Sequence, residues 1–512
     1  MKTFVFFIGG SGARVLRALT MMMASGVSLK DGDSIVPILV DFDATNADLK
    51  RAHELLGLYN EFHKIGDYEE DQFKGGFFRT LLGLKEKGSH NTMNPLVRMA
   101  FEDDKNTFGQ YIGYESLENL QDRDGNRNVC KPTKLLIDAL YDSSSPDSRD
   151  RELNLELRYG FKGNPNIGSV VFNEYFKTGQ FQAFKDNFSP GDRIFIVASI
   201  FGGTGSSGLP QLVKKIRESM TQQLDNNGTV RAIREAMLGA CVVLPYFKVK
   251  ENSESAINSL TFNSKAKAAL NYYHDEINHV MSEVFYIGCN KQNTGYENIE
   301  GGEKQENKAH LVELLAAMSI MEFAGHPEMA SGEETKYYEY TSTSSPEDLP
   351  NPSFLNLLSR PNGEHVYQTY VKKLNSFAMA AKYFRDYTRK EEKKLTSLTR
   401  SSYYKNLEDF LHSGKDFSEK FYDFTSRFIE WIDEMKENSI YSFCSYNFNA
   451  KSLSELILMD DTNNFKKTNS ENTITTALND GCAKENDRNS KGDKVYLRHV
   501  YNGCIQAVGQ IN

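Results

Sequence analysis

Two short glycine-rich runs hold the residues best suited to chemistry. The first is Gly9, Gly10, Ser11 and Gly12; the second is Gly202, Gly203, Thr204, Gly205 and Ser206. Each follows an apolar stretch of strand character (residues 4–8 and 193–200). Each precedes apolar residues at helical spacing, namely Val15, Leu16, Leu19 and Met22 in one case and Leu212, Val213, Ile216 and Met220 in the other. A strand–glycine–helix turn exposes backbone N–H groups at a helix N-terminus, where an anion finds unpaired donors and a favourable dipole. Glycine lets that backbone approach closely and adopt positive φ. Thr204, Ser206 and Ser207 add hydroxyls with little bulk. The first run alone also suits a tight turn that holds nothing. The second places four glycines with Thr and Ser within residues 201–208, a poor choice for a plain turn and a good one for an anion cradle. Neither run contains Gly-Lys-Ser/Thr, which excludes a Walker-type loop. Gly10 and Gly12, with Asp41 or Asp43 after the next apolar run, loosely fit a dinucleotide fingerprint, but Val15 stands where its third glycine belongs.

The elements that must position these runs follow from periodicity. Residues 34–43, 236–245 and 284–289 are further apolar runs, of the kind that forms parallel strands buried on both faces. Alternating with helical patterns, they predict an α/β fold with a Rossmann-like doubly wound parallel sheet. Residues 310–324 are apolar almost all round and predict a long, buried central helix. Residues 366–437 read as helical, with Phe417, Phe421, Phe424, Phe428 and Trp431 recurring as a packing stripe. The organisation expected is a nucleotide-binding domain at 1–325 with an insertion at about 56–188, a mainly helical second domain at 326–450 after a junction at 331–352, and a tail at 451–512, partly docked.

Composition narrows the class. The chain has 512 residues, 39% hydrophobic and 25% charged, which excludes wholesale disorder. It has no apolar run of about 18 residues, so no membrane span is expected. A net charge of −9 argues against nucleic acid as the main partner. The six cysteines form neither Cys-x-x-Cys pairs nor zinc-ligand spacings, so no metal ligand set is read. With an N-terminal apolar run too short for a signal peptide, they point to the cytoplasm. Between 366 and 405 basic residues outnumber acidic ones. That stretch is either a solvated face with ion pairs, the more ordinary arrangement, or a basic face for an acidic partner, a neighbouring subunit or nucleic acid.

The sequence FGGTGSSG at 201–208 resembles the signature loop GGGTG[ST]G of the tubulin/FtsZ superfamily, with Phe201 in place of the first glycine. IGGSGARVLRAL at 8–19 is similar to that family's first glycine loop and helix. VDFDATN at 40–46 resembles its Asn-Thr-Asp-Ala loop, with Asp43 matching the Asp. The resemblance covers roughly residues 1–325 outside the insertion and implies a GTPase-type nucleotide domain joined by the central helix to a second domain. It implies binding of GTP or GDP with Mg²⁺ at Gly9, Gly10, Ser11, Gly12, Asp43, Gly202, Gly203, Thr204, Gly205 and Ser206. It further implies Glu251 as the ribose-contacting acid and Asn290 as a base contact. Ala309 stands where the family reads the guanine edge with Asn or Asp, which leaves Asn307 or His310 to reach the base. The family's catalytic Asn-x-Asp-x-x-Asp is absent; GHPEMASGEE at 325–334 offers Glu328, Glu333 and Glu334, of which Glu328 is the catalytic candidate, although a solvated acidic loop is the more ordinary reading. Filament formation by head-to-tail self-association, with hydrolysis at subunit interfaces, is the implied activity. The alternatives are a non-hydrolysing nucleotide-sensing scaffold and an NAD-binding Rossmann enzyme.

Overall fold

A computed structural model gives the fold. It describes residues 1–43, 45–66, 75–84, 96–98, 107–118, 131–141, 152–217, 228–250, 259–289, 295–299, 302–329, 333–341, 363–389, 415–438, 445–453, 455–458, 470–484 and 492–511. Seven strands form one sheet: β1 (Lys2–Ile8), β2 (Ser34–Asp41), β3 (Leu96–Arg98), β4 (Arg193–Ser199), β5 (Leu238–Val243), β6 (Glu283–Gly288) and β7 (Lys336–Thr341). Their order is β3-β2-β1-β4-β5-β6-β7, and every pairing is parallel. The first six follow the doubly wound order 3-2-1-4-5-6. The seventh corrects the sequence reading, which placed a domain junction at 331–352. Its residues pair with β6 from Lys336 against Glu283 to Thr341 against Gly288.

β1, β2, β4 and β5 are almost wholly buried because helices cover both faces of the sheet. Alternate side chains of β1 serve opposite layers, as the strand period of two requires. Val5 and Phe7 join one core with helices α1 (Gly9–Ala24), α2 (Ala47–Gly66) and, later in the chain, the central helix. Phe4, Phe6 and Ile8 join the other, with helix α3 (Gly203–Arg217) and helix α4 (Ser259–Glu276). The central helix α5 (Leu311–Gly325) is buried all round except at Glu322 and Gly325.

The C-terminal helices share the first core. Helices α6 (Lys372–Tyr383) and α7 (Lys415–Asn438) contribute Phe377, Phe421, Phe424 and Trp431, while α8 (Ser470–Lys484) and α9 (Gly492–Ile511) contribute Leu478 and Val500. Phe62 on α2 meets Phe417, Phe421 and Phe424 edge-on at 5.4–5.9 Å. One continuous apolar core therefore runs from β1 to α9.

The insertion expected at 56–188 is corrected at both ends. α2 continues unbroken to Gly66, burying Leu55, Leu56, Tyr59 and Phe62 against the first core. Helices Pro165–Val171 and Gly179–Asn187 cover the second face, with Phe172, Phe181 and Phe184 in its core. The expected basic face at 366–405 is also altered within the described residues. Lys382 is buried, and its ammonium donates to Asp386 at 2.6 Å and to the Phe448 carbonyl at 3.0 Å. Residues 390–405 lie outside the described residues.

Candidate functional site

The strand order reverses between β1 and β4, and both glycine runs lie at that point, at the carboxyl ends of these neighbours. A crevice forms there because successive helices leave toward opposite faces of the sheet. α1 begins at Gly9 and α3 at Gly203, so two helix N-termini open into one cleft of about 930 Å³, its mouth included. Gly9, Gly10, Ser11, Gly202, Gly203, Thr204 and Gly205 line it. The runs nearly touch: a methyl on Gly9, which has φ +75°, would sit 3.4 Å from Thr204 Cβ and 3.6 Å from the Gly205 nitrogen.

Not every glycine serves the cleft. A methyl on Gly12 would lie 2.7 Å from the Phe7 carbonyl carbon, so Gly12 lets α1 pack on β1 and is absent from the lining. Gly203 lines the cleft, yet its missing side chain makes room for a different neighbour. A methyl there would stand 2.8 Å from Phe161 Cβ and 3.1 Å from the Gly163 nitrogen. Ser206 turns its hydroxyl back into the helix, donating to the Gly202 and Gly203 carbonyls, and is not a cleft residue.

Residues Tyr159–Gly163 form a wall that sequence reasoning assigned to the insertion. Gly160 at φ +72°, Lys162 at +41° and Gly163 at +77° curl this loop over Thr204. The paired glycines of YGFKGN were the one available signal. The loop brings Lys162 to the cleft lining. The opposite wall comes from two short paired strands, Lys248–Val249 and Gly295–Tyr296, with Phe247, Val249 and Ile299 as apolar lining.

Two aspartates, Asp41 ending β2 and Asp43 just beyond it, have different environments. Asp41 is 4% exposed; its Oδ1 accepts the amide hydrogens of Phe42 at 2.7 Å and Asp43 at 3.3 Å, and the Thr204 hydroxyl at 3.4 Å. Burial, reinforced by the nearby Asp43 charge, pushes the Asp41 carboxyl from 3.8 up to about 7. Asp43 also lines the cleft, but its oxygens are engaged. Oδ1 accepts from the Thr45 amide and hydroxyl, and Oδ2 from the Gly302 amide at 2.7 Å.

Beneath the floor lies a buried ionic network. Arg14 lines the cleft and donates to Glu313 at 2.7 Å, Asp48 at 3.0 Å, the Tyr246 hydroxyl at 2.8 Å and Ser11 at 3.3 Å. Burial pushes the Glu313 carboxyl upward against the pull of Arg14. Periodicity could not reveal this site, because Arg14 and Glu313 are 299 residues apart.

Asn307 lies on the cleft lining, with its backbone fixed at both polar atoms. Its N–H donates to Asp48 Oδ1 at 3.3 Å and its carbonyl accepts from Arg51 at 2.7 Å. His310 does not line the cleft. It caps α5, accepting the Val312 amide at Nδ1, and burial followed by the Arg14 charge lowers its pKa to about 4, so the ring is neutral. Glu251 and Asn290 lie outside the described residues.

Glu328 is far from this cleft. α5 runs from beside Asn307 to the amino ends of the strands, where Arg193 donates to the Phe323 carbonyl at 2.8 Å and feels the Glu328 charge. The 15 residues of α5 span about 22 Å at 1.5 Å each. The exposed Glu328 therefore cannot serve the cleft of its own chain.

The cleft can hold a phosphorylated ligand by backbone donors, an apolar wall and an amide. Its charged lining comprises Arg14 and Lys162 against Asp41, Asp43 and Glu297. A polyphosphate entering it therefore needs a cation with it. Among the described residues no group of three or more His, Cys, Asp or Glu side chains could hold a metal alone. Asp41 and the Thr204 hydroxyl suit a Mg²⁺ that arrives with its phosphates, since Mg²⁺ characteristically takes one or two carboxylates and completes its shell with phosphate and water. No protein-family model matches the chain, and no curated protein matches it.

Proposed function

We propose that this chain is a tubulin/FtsZ-like nucleotide-binding protein that takes GTP or GDP with Mg²⁺ in the cleft between β1 and β4. The observation that carries the reading is the convergence of two glycine turns, and two helix N-termini, on adjacent strands at the point where the sheet order reverses. The unpaired amides of both helices would hold the phosphates. Asp41 and Thr204 would hold Mg²⁺, which supplies charge neutralisation on the phosphates. Phe247, Val249 and Ile299 would cover the base, and the Asn307 side-chain carboxamide would meet its polar edge.

Hydrolysis, in this reading, needs a second copy. Glu328 at the opposite pole would reach the cleft of the next subunit in a head-to-tail filament, a heterologous contact that extends unless it closes into a ring. The separation of Glu328 from its own cleft also supports binding without turnover by an isolated chain, as in a nucleotide-sensing scaffold. The NAD reading is weaker: Asp43 is occupied by Thr45 and Gly302, and Val15 takes the place of the third glycine.

Calorimetry with GTP, ATP and NAD, each with and without Mg²⁺, tests the site. Magnesium-dependent GTP binding is the expected result, and failure of every nucleotide to bind would end the proposal. Pelleting with phosphate release, set against a Glu328→Gln variant, separates the two forms of the reading. In the filament form the variant binds GTP normally, assembles and loses turnover.

A further inference from the structure

Residues 302–307 lie between the short strand Gly295–Tyr296 and α5 along the chain and are fastened repeatedly to the β2–α2 segment. The Gly302 amide donates to Asp43 at 2.7 Å, and the Asn46 side-chain amide donates to Gln305 Oε1 at 2.5 Å. The Asn307 amide donates to Asp48. Gln305 and Asn307 both line the cleft, and Asn46 lies beside Gly10 on its floor. This segment is thus a strap across the cleft, tied down near the first glycine run.

Arg51, one α-helical turn beyond Asp48 and outside the cleft lining, is the clasp. Its guanidinium donates to Glu306 at 2.8 Å, to the Asn307 carbonyl at 2.7 Å and to Asp48 at 2.6 Å, and it lies 3.5 Å from Glu434 of α7. No other side chain described here grips the strap at two consecutive residues and also reaches the C-terminal helices. α7 holds the chain immediately beyond the strap as well. Glu434 accepts the Ala309 amide at 2.8 Å, and Asn438 donates to the Ala309 carbonyl at 3.0 Å.

We propose that Arg51 is a positioning residue that fastens residues 302–307 over the cleft, presents Asn307 to the base and sets the rate at which a bound nucleotide leaves. This inference rests on the nucleotide reading of the cleft. A ligand under a fastened strap leaves only when the strap lifts. Lifting breaks charge-assisted hydrogen bonds to Arg51, and each order of magnitude in rate corresponds to about 1.4 kcal/mol.

The test uses the full chain loaded with a fluorescent guanine nucleotide and chased with excess unlabelled GTP in a stopped-flow instrument. Arg51→Ala is expected to release the probe roughly tenfold faster or more. Its preference for GTP over ITP, which lacks the exocyclic amine, is expected to fall as Asn307 loses its fixed backbone. Arg51→Lys, which keeps the charge but not the fork, should recover only part of the slow release. Glu306→Ala covers the case in which Arg51→Ala does not fold. Glu306 is more than half exposed and its carboxylate accepts from Arg51, so this variant should fold and release the probe several-fold faster. Unchanged release and unchanged GTP/ITP preference in folded Glu306→Ala and Arg51→Lys would overturn the proposal while leaving the cleft reading intact. A wild-type chain that retains no probe would overturn both.

Discussion

Replacing Asp41 with Asn is expected to stabilise the ligand-free protein above neutral pH. Asp41 is buried beside Asp43, and its carboxyl is raised from 3.8 to about 7, by burial first and the Asp43 charge second. A carboxyl raised on folding binds its proton more tightly in the native state. Its penalty is therefore absent below about pH 3.8, grows through the window up to about pH 7 and is constant above it. At about 1.4 kcal/mol per pH unit, the full penalty is about 4 kcal/mol, and at pH 5 it is less than half of that. The Asp41→Asn side chain keeps an oxygen for the Phe42 and Asp43 amides and removes the charge. The stability gap between variant and wild type should thus widen by roughly 2–3 kcal/mol from pH 5 to pH 8. Unfolding entropy near 2 cal/mol/K per residue makes this a widening of about 2–3 °C in melting temperature for a chain of this length. Scanning calorimetry of both proteins at the two pH values, in chelator and without nucleotide, measures it. A gap that is the same at pH 5 and pH 8 would refute the assignment of a strained, buried carboxyl. On the proposed function the same variant also gains less stability from Mg²⁺ and GTP than the wild type does, because the cation loses a ligand.

Two further perturbations follow from the geometry. Gly10→Ala would place its methyl 3.5 Å from Asn46 Nδ2, an ordinary contact, whereas Gly12→Ala would drive a methyl to 2.7 Å from the Phe7 backbone. The first should weaken nucleotide binding with the melting temperature retained, and the second should lower the melting temperature; calorimetric titration and thermal melts of the pair distinguish the roles. Arg14→Met leaves Glu313 buried without its cationic partner and Asp48 with Arg51 as its remaining cation, and should destabilise the fold by about 3–5 kcal/mol. Adding Glu313→Gln should recover part of that loss in urea unfolding, and full additivity of the two changes would contradict the buried pair.

Much of the framework was legible in the sequence. The buried strands declare themselves as apolar runs, because a strand covered on both faces has no polar side to show. The two glycine runs mark the turns that begin α1 and α3. The insertion was misjudged because α2 and the helices at 165–187 carry mixed polar surfaces, and amphipathic elements look loop-like when their buried face is not known. The edge strand β7, with exposed Tyr337, lacks the apolar continuity of its neighbours for the same reason.

The chain's residue order determined that two flexible, donor-rich turns would each stand between a strand and a helix, since glycine content and periodicity are local properties. Only the tertiary structure decided that these turns meet, 194 residues apart from Gly9 to Gly203, by pairing β4 directly beside β1. It also decided which polar residues serve the cleft. Ser206 turns inward and Gly12 is consumed by helix packing, while Arg14, Asn46, Lys162 and Gln305 come to the lining from four separate segments. Hydrogen-bond direction, burial and charge compensation depend on neighbours brought together across the chain, and no local pattern carries that information.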